Sequence, residues 1–144
     1  MLAQFSIHQF ELFVRMLAAT VVGGLIGWER KVENRRFGVR IHMLTSLAAA
    51  GFSIGAFESA AWARSQNFDA DPLRVIEAVV SALALLAAGT IIKAKGHITG
   101  LTTGVGLWLA GAVGIAAGSG LYAAAILIAV LSLAILYGLR TLAD

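Results

Sequence analysis

The chain has 144 residues, of which 59% are hydrophobic and 13% are charged, and its mean hydropathy is +0.85. A soluble domain carries about 25% charged residues, and a soluble globule could not bury so much apolar surface and keep a wettable exterior. No cysteine is present, which excludes disulfides, thiol catalysis and zinc sites built on cysteine. The composition predicts an all-α integral membrane protein that forms one domain over residues 1–144.

Five stretches are long and apolar enough to cross a bilayer as helices, since about 20 residues span roughly 30 Å of hydrocarbon. In chain order they are predicted at residues 10–28, 41–62, 73–92, 98–117 and 121–139. The first three carry charged residues, and the last two carry none. Strands are not expected, because the apolar runs do not alternate with polar residues as barrel strands do. A bundle of about five spans is therefore predicted, with four spans as the alternative if residues 93–103 form a re-entrant turn.

The basic residues are unevenly sorted between the two sides of this predicted bundle. One side holds eight of the 11 Lys and Arg residues, namely Arg30, Lys31, Arg35, Arg36, Arg40, Lys93, Lys95 and Arg140. The positive-inside rule makes that side cytoplasmic, so we expect the N-terminus outside and the C-terminus inside. The basic loop after the first span suits the anionic cytoplasmic leaflet, and nothing in it indicates nucleic-acid binding.

Small residues recur at a spacing of four in three of the predicted helices. This spacing places them on one helix face and lets the backbone of another helix approach closely. The two interpretations are packing inside the bundle and the interface of a homo-oligomer, with a dimer favoured. The predicted packing residues are Gly23, Gly27, Gly51, Gly55, Gly104, Gly106, Gly114 and Gly118.

Two carboxylates, Glu58 and Glu77, lie within predicted spans near the outer boundary, and Arg15 lies at a similar depth. An ionisable residue inside a span is a candidate functional residue that is paired or faces water. The group is a possible cation or proton site, because Mg²⁺ takes oxygen ligands and keeps several waters. The alternative is a set of carboxylates that reach the interface or form structural ion pairs. No metal ligand set is predicted with confidence, and Mg²⁺ is the one candidate cofactor.

The segment from Gly96 to Thr103 reads GHITGLTT and is predicted to be a tight turn into the fourth helix. We expect Thr99 to cap that helix, and Thr102 and Thr103 to bond backbone carbonyls or a neighbouring helix. The alternative is a broken helix whose N-terminus faces an anion, as in transporters. The sequence holds no G-x-S-x-G, P-loop or H-E-x-x-H motif, so no enzyme is predicted.

A series of short motifs resembles the membrane domain of the MgtC/SapB family of bacterial proteins over about residues 12–120. The motifs are IGWER at 26–30, GVRIHML at 38–44, DPLR at 71–74, VVS at 79–81, AG at 88–89, GLTT at 100–103 and LW at 107–108. Their order and spacing carry the resemblance. The polar and aromatic residues of these motifs are Glu29, Arg40, His42, Asp71, Arg74, Thr102, Thr103 and Trp108.

The chain also departs from the family pattern. Alanine stands at positions 82, 84 and 87, where glycine is common in the family, and Ile41 replaces a frequent threonine. Family members often continue into a soluble C-terminal domain, whereas we expect this chain to comprise the membrane domain only. Functions of the soluble domain are therefore not carried over.

The resemblance implies a multi-pass protein of the bacterial inner membrane, from a virulence-related family, that adapts cells to low magnesium or acid. It implies a non-enzymatic regulator that acts through membrane partners, among them the proton-driven ATP synthase. The alternative function is a transporter or channel for Mg²⁺ or protons that uses the intramembrane carboxylates.

Overall fold

The computed structural model describes residues 2–32, 38–94 and 97–138, with side chains for residues 6–28, 38–93 and 98–136. The described helices are α1 (Leu2–Val32), α2 (Val39–Ser65), α3 (Leu73–Ala88), α4 (Leu101–Gly118) and α5 (Tyr122–Gly138). Two short strands, β1 (Ile92–Ala94) and β2 (His97–Thr99), lie between α3 and α4. The predicted bundle of five helices is confirmed, and the helices follow the predicted order along the chain.

Three of the described helices are long and apolar enough to cross a membrane. They are Ser6–Trp28 within α1, the whole of α2 and the whole of α4. α5 supplies a shorter apolar segment, and α3 has only 16 residues. At 1.5 Å per residue, 16 residues rise about 24 Å, which is shorter than the hydrocarbon core of about 30 Å. The chain is a helical membrane protein, and the side that each loop faces remains a prediction.

The centre of the bundle is formed by α1, α2 and α4, which all contact one another. α5 packs on α1 and α4, and α3 packs on α4 and α2. The core is built largely from small side chains, and its largest fully buried ones are Ile26, Leu107 and His42. Helices in lipid gain little from hydrophobicity when they associate, so close backbone contact between small residues must hold them together.

The helices differ in length, so α1 and α2 extend past the end of α4. A Cβ at Gly118, the last residue of α4, would lie 2.5 Å from the Ala50 carbonyl oxygen. α2 runs on for 15 residues from Ala50 to Ser65, which is about 22 Å. In α1, His8 approaches Glu58 of α2 along this projecting part. We call residues 6–14 of α1 together with residues 51–65 of α2 the α1–α2 extension.

The prediction was wrong about the connection between α3 and α4. α3 ends at Ala88 rather than at residue 92, and α4 begins at Leu101 rather than at residue 98. The strands that were not expected pair antiparallel, with Lys93 opposite Ile98. They occupy the region for which a re-entrant turn was the alternative.

Local geometry explains why the helices stop there. Gly100 has a φ of 85°, a left-handed conformation that residues with a Cβ rarely adopt, and a Cβ at that position would collide with the Thr90 carbonyl. The Thr90 hydroxyl donates to the Ala87 carbonyl at 2.7 Å and lies 3.3 Å from the Gly100 carbonyl oxygen. These contacts tie the end of α3 to the start of α4.

Candidate functional site

The most polar part of the buried core is a stripe along α2. His42 and Ser46 are fully buried, and Thr45 and Ser53 are also buried. His42 and Ser46 are four residues apart and therefore lie on one face of the helix. This face meets α1 on one side and α4 on the other. We call it, with the glycines that contact it, the His42 junction: His42, Ser46, Gly23, Gly27, Gly106 and Gly114.

Glycines of two helices hold the His42 side chain between them. A Cβ at Gly27 of α1 would lie 2.8 Å from the His42 Cβ, and a Cβ at Gly106 of α4 would lie 2.9 Å from its Nε2. Real Cβ atoms do not approach other atoms this closely, so a larger residue at Gly106 would displace the imidazole, and one at Gly27 would also press on the Val39 Cα, 2.9 Å away. The imidazole therefore fixes the spacing of three helices at once.

Ser46, one turn further along α2, is enclosed in the same way. A Cβ at Gly23 would collide with the Ser46 side chain, and a Cβ at Gly114 would collide with the Ser46 carbonyl. The Ser46 hydroxyl is one of the buried polar atoms of the described chain without a hydrogen-bond partner. A methyl group at Gly23 would push α1 away from α2, and one at Gly114 would push α4 away from α2. Both glycines therefore help to set the distances between these helices.

The other predicted packing glycines fall into two groups. Gly104 and Gly118 of α4 also face backbone at close range, with Cβ positions 2.8 Å from the Ala87 carbonyl oxygen and 2.5 Å from that of Ala50. In α2, a Cβ at Gly51 would lie at an ordinary 3.8 Å from Met16, and one at Gly55 would meet no atom within 4 Å. The structure thus places six of the eight glycines at internal helix contacts and Gly55 in open space.

The tautomer of His42 follows from one hydrogen bond. Its Nδ1 lies 3.2 Å from the Gly38 carbonyl oxygen, and a carbonyl only accepts, so Nδ1 carries the hydrogen. In the neutral ring, Nε2 then carries no hydrogen, and it lies on the side of Gly106. Among the residues described, no group of three His, Asp or Glu side chains is placed to hold a metal ion.

The other motif residues divide between the two ends of the bundle. Thr103 of α4 is buried one turn before Gly106, whereas Arg40 and Thr102 are exposed at the same end. Trp108 is 46% exposed and lines a cleft of about 290 Å³ between α3 and α4. The side chain of Glu29, like that of His97, lies outside the described residues.

Thr99 does not cap the start of α4 as predicted. The residue before the helix is Gly100, which supplies no side-chain cap, and the Thr99 hydroxyl donates instead to the Ile92 carbonyl at 3.3 Å. The threonine is held by the strand pair, which the sequence pattern did not reveal.

At the opposite end of the bundle, Asp71 and Arg74 flank the start of α3. The Asp71 Oδ1 accepts a hydrogen bond of 2.9 Å from the Leu73 amide, which satisfies one of the amides left free at the start of a helix. Arg74 is exposed on the first turn of α3. The motif residues therefore form one set around His42 and a second set at the start of α3.

Arg15 connects α1 to the turn between α4 and α5. Its guanidinium donates to the Gly118 carbonyl at 3.1 Å and to the Glu11 carboxylate, which lies one turn away in α1. Gly120 in that turn has a φ of 79°, and a Cβ there would lie 3.3 Å from the guanidinium carbon. A cation at the C-terminus of α4 satisfies its free carbonyl and the helix dipole. Arg15 thus has a structural partner that hydropathy and depth did not indicate.

The predicted group of Glu58, Glu77 and Arg15 is not brought together. Arg15 holds Glu11, while Glu58 lies 3.3 Å from the His8 Nε2 with both side chains about half exposed. The Glu77 side chain is exposed on α3. The spacing of four between Glu11 and Arg15 is the signal that would have found their pair in the sequence.

Glu58 and Asp71 line an open cleft of about 820 Å³ between α2 and the start of α3. An apolar cleft of about 420 Å³ continues it along the two helices, and both clefts are lined by Phe52 and Val75. Glu58 lies eight residues past Ala50, which is about 12 Å beyond the level where α4 ends. The acidic cleft therefore belongs to the α1–α2 extension rather than to the centre of the bundle.

Comparison with known proteins identifies the family. The sequence profile described as the MgtC family matches residues 16–144. The chain belongs to the MgtC family. Its matched segment contains the His42 junction, the acidic cleft and the start of α3, whereas His8, Glu11 and Arg15 precede it.

Individual relatives agree with this assignment. The chain is 32% identical over 127 residues to YhiD of Escherichia coli K12, whose name proposes a magnesium transporter; the match covers 88% of this chain and 59% of YhiD. It is 35% identical over 127 residues to the protein MgtC of Brucella abortus (strain 2308), and the match covers 88% of this chain and 50% of the Brucella protein. It is 34% identical over 121 residues to an uncharacterized protein of Haemophilus influenzae, and the match covers 82% of this chain and 51% of that protein.

This MgtC-family chain spans about half to three fifths of the length of the curated relatives it matches. No solved structure matches it. The activities and partners of those longer proteins are therefore matters for a proposal, and the helices described above are the structural basis for one.

Proposed function

We propose that this protein is a non-enzymatic regulator in the bacterial inner membrane that adapts the cell to low magnesium or acid by acting on other membrane proteins. The name of the Escherichia coli relative, which proposes a magnesium transporter, supports the connection with magnesium, and membership in the MgtC family extends that connection to this chain. The proton-driven ATP synthase is the partner that the family resemblance suggests.

The observation that carries the choice of a regulator over a transporter is the packing at the His42 junction. Positions 27 and 106 approach the imidazole so closely that neither could carry a methyl group without movement. A hydrated ion is larger than a methyl group, so it cannot pass between α1, α2 and α4 at this level without separating them. The buried polar stripe is better suited to hold one helix arrangement than to conduct ions.

The test is complementation of a strain that lacks the gene, grown with limiting magnesium and at acid pH. Loss of the protein should slow growth under at least one of these conditions, and the wild-type gene should restore it. A Gly106→Leu variant should fail to restore growth, because leucine would displace His42, whereas Gly55→Leu, at a position with open space, should restore it. Unchanged growth of the deletion strain under both conditions would contradict the proposal.

The second candidate function is transport of Mg²⁺ or protons, and the acidic cleft is the observation that favours it. Glu58 and Asp71 face a space of about 820 Å³, which is large enough for a hydrated cation. Purified protein in sealed vesicles tests this function by the flux of Mg²⁺ and H⁺. Flux that Glu58→Gln or Glu77→Gln abolishes would support transport, and no flux of either ion would exclude it in favour of the regulator.

A further inference from the structure

Of the five described helices, α3 has the fewest buried residues. Of its 16 residues, only Val79 and Leu83 are buried. They pack against Ala49 of α2 and Gly111 of α4, where a Cβ at Gly111 would collide with the Leu83 side chain. The opposite face of α3, centred on Ser81, points away from α2 and α4, and only its edges approach them: Ala78 lines the apolar cleft beside α2, and Ala88 lines the cleft beside Trp108 of α4.

The residues of this free face follow a regular pattern. They recur at spacings of four, three, four and three, and all are exposed: Arg74, Ala78, Ser81, Leu85 and Ala88. Leu85, near the end of the row, is 77% exposed. Alternating spacings of four and three form the seam along which two helices pack side by side with a left-handed crossing. We call these five residues the α3 seam.

The seam differs from a surface built to face lipid. The outer face of α5 shows what this chain presents to hydrocarbon, since it carries the large exposed side chains Ile126, Leu127, Val130, Leu131 and Ile135. The α3 seam instead carries three small residues, one leucine and an arginine. Small residues reduce contact with lipid chains and allow another helix backbone to approach closely. The seam is therefore suited to a helix.

The charged residues of α3 indicate which helix packs on the seam. Arg74 lies on the seam, and Glu77 is exposed one turn along. The ion pairs found within the described segments are His8–Glu58 and Glu11–Arg15, so neither Arg74 nor Glu77 takes part in one. A twofold axis along the membrane normal brings the same face of two copies together at the same depth. Arg74 of each copy then meets Glu77 of the other, and the surface is complementary to itself.

We propose that the α3 seam is the contact surface for a second copy of this chain. The glycine rows that the sequence offered as an alternative interface are occupied within the monomer, since Gly23, Gly27, Gly106 and Gly114 contact α2. α3 supplies the small residues, the helix spacing and the paired charges that a dimer needs.

Cysteine cross-linking tests the proposal directly, because the chain has no native cysteine. Single variants Ser81→Cys, Leu85→Cys and Ala88→Cys place a thiol on the seam, and Leu127→Cys and Leu131→Cys place one on α5 as matched controls. The purified variants are reconstituted in phospholipid vesicles and treated with a membrane-permeant bis-maleimide. Seam variants should yield on the order of fivefold more cross-linked dimer than the α5 variants, since only the seam brings the two helices together. Equal yields, or dimers through α5 alone, would overturn the proposal.

Charge reversal provides the second measurement. Arg74→Glu and Glu77→Arg alone should each lower the association constant in vesicles roughly three- to tenfold, since two interfacial ion pairs become repulsive contacts. The double variant Arg74→Glu/Glu77→Arg exchanges the two charges and should restore association. Failure of the double variant to recover, when it inserts and remains helical, would contradict the proposed pairing.

Discussion

The imidazole of His42 in α2 lies against the backbone of α4 at Gly106, where a Cβ would lie 2.9 Å from the imidazole Nε2. The same imidazole lies against Gly27 of α1 on its other side. One fully buried side chain therefore sets the separation of three helices. The glycines at the junction therefore leave no room for a Cβ, whereas some other glycines of these three helices do.

Replacing Gly106 with alanine should destabilise the bundle by about 1–3 kcal/mol, the usual cost of overpacking a core. Gly55→Ala is the matched control, since a Cβ at Gly55 meets no atom within 4 Å. Alanine also favours helix over glycine by roughly 0.5–1 kcal/mol, so the control should be neutral or slightly stabilising. Unfolding of the purified protein in mixed micelles measures both, and equal effects of the two substitutions would argue against the junction as the limiting contact.

Gly100→Ala should be more harmful than a typical substitution at a helix end. The residue has a φ of 85°, and the left-handed conformation costs about 1–2 kcal/mol for a residue with a Cβ. The added methyl group would also strike the Thr90 carbonyl. We expect a lower unfolding midpoint and a weaker protection of the β1 and β2 amides against hydrogen exchange. Gly51→Ala, whose Cβ would be 3.8 Å from Met16, should neither lower the midpoint nor weaken that protection.

These glycines also show what the sequence predicts and what it does not. Hydropathy located five helices because each is a long apolar run, and a spacing of four identified Gly23 and Gly27 as a packing face. The partner of that face depends on which helices become neighbours, and a one-dimensional pattern does not contain this information. Gly55 has the same spacing from Gly51 and contacts nothing, since α2 there runs past the end of α4.

The ends of α3 and α4 were mispredicted for a related reason. Ile91 and Ile92 are apolar enough to continue α3, and Ile98 is apolar enough to begin α4, so hydropathy extends both helices by a few residues. The actual boundary is set by the left-handed Gly100 and by the Thr90 hydroxyl, which are single-residue effects. The similar depth in the membrane likewise suggested that Arg15 would pair with Glu58 or Glu77. Arg15 instead pairs with Glu11, which lies one turn away in α1.

Arg15→Gln should destabilise the protein by about 1–2 kcal/mol, because a hydrogen bond from a charged group to the Gly118 carbonyl is lost at the end of α4. Arg64→Gln provides the control, since Arg64 is an exposed arginine in the last turn of α2. Surface arginines of that kind contribute little to stability. If both variants unfold at the same denaturant concentration, Arg15 does not act as the connection between α1 and the α4–α5 turn.

The orientation of the bundle can be measured with the same cysteine-free background. The eight basic residues on one predicted side favour placing the α3–α4 connection in the cytoplasm and the α2–α3 loop outside. Gln66→Cys in that loop should react with a membrane-impermeant maleimide in intact cells with a permeable outer membrane. Ile92→Cys, which keeps every basic residue, should react only after the inner membrane is opened. Both side chains are exposed on the protein, so a thiol at either position is open to the reagent once the reagent reaches its side of the membrane. The reverse pattern would place the N-terminus inside and would contradict the charge rule for this chain.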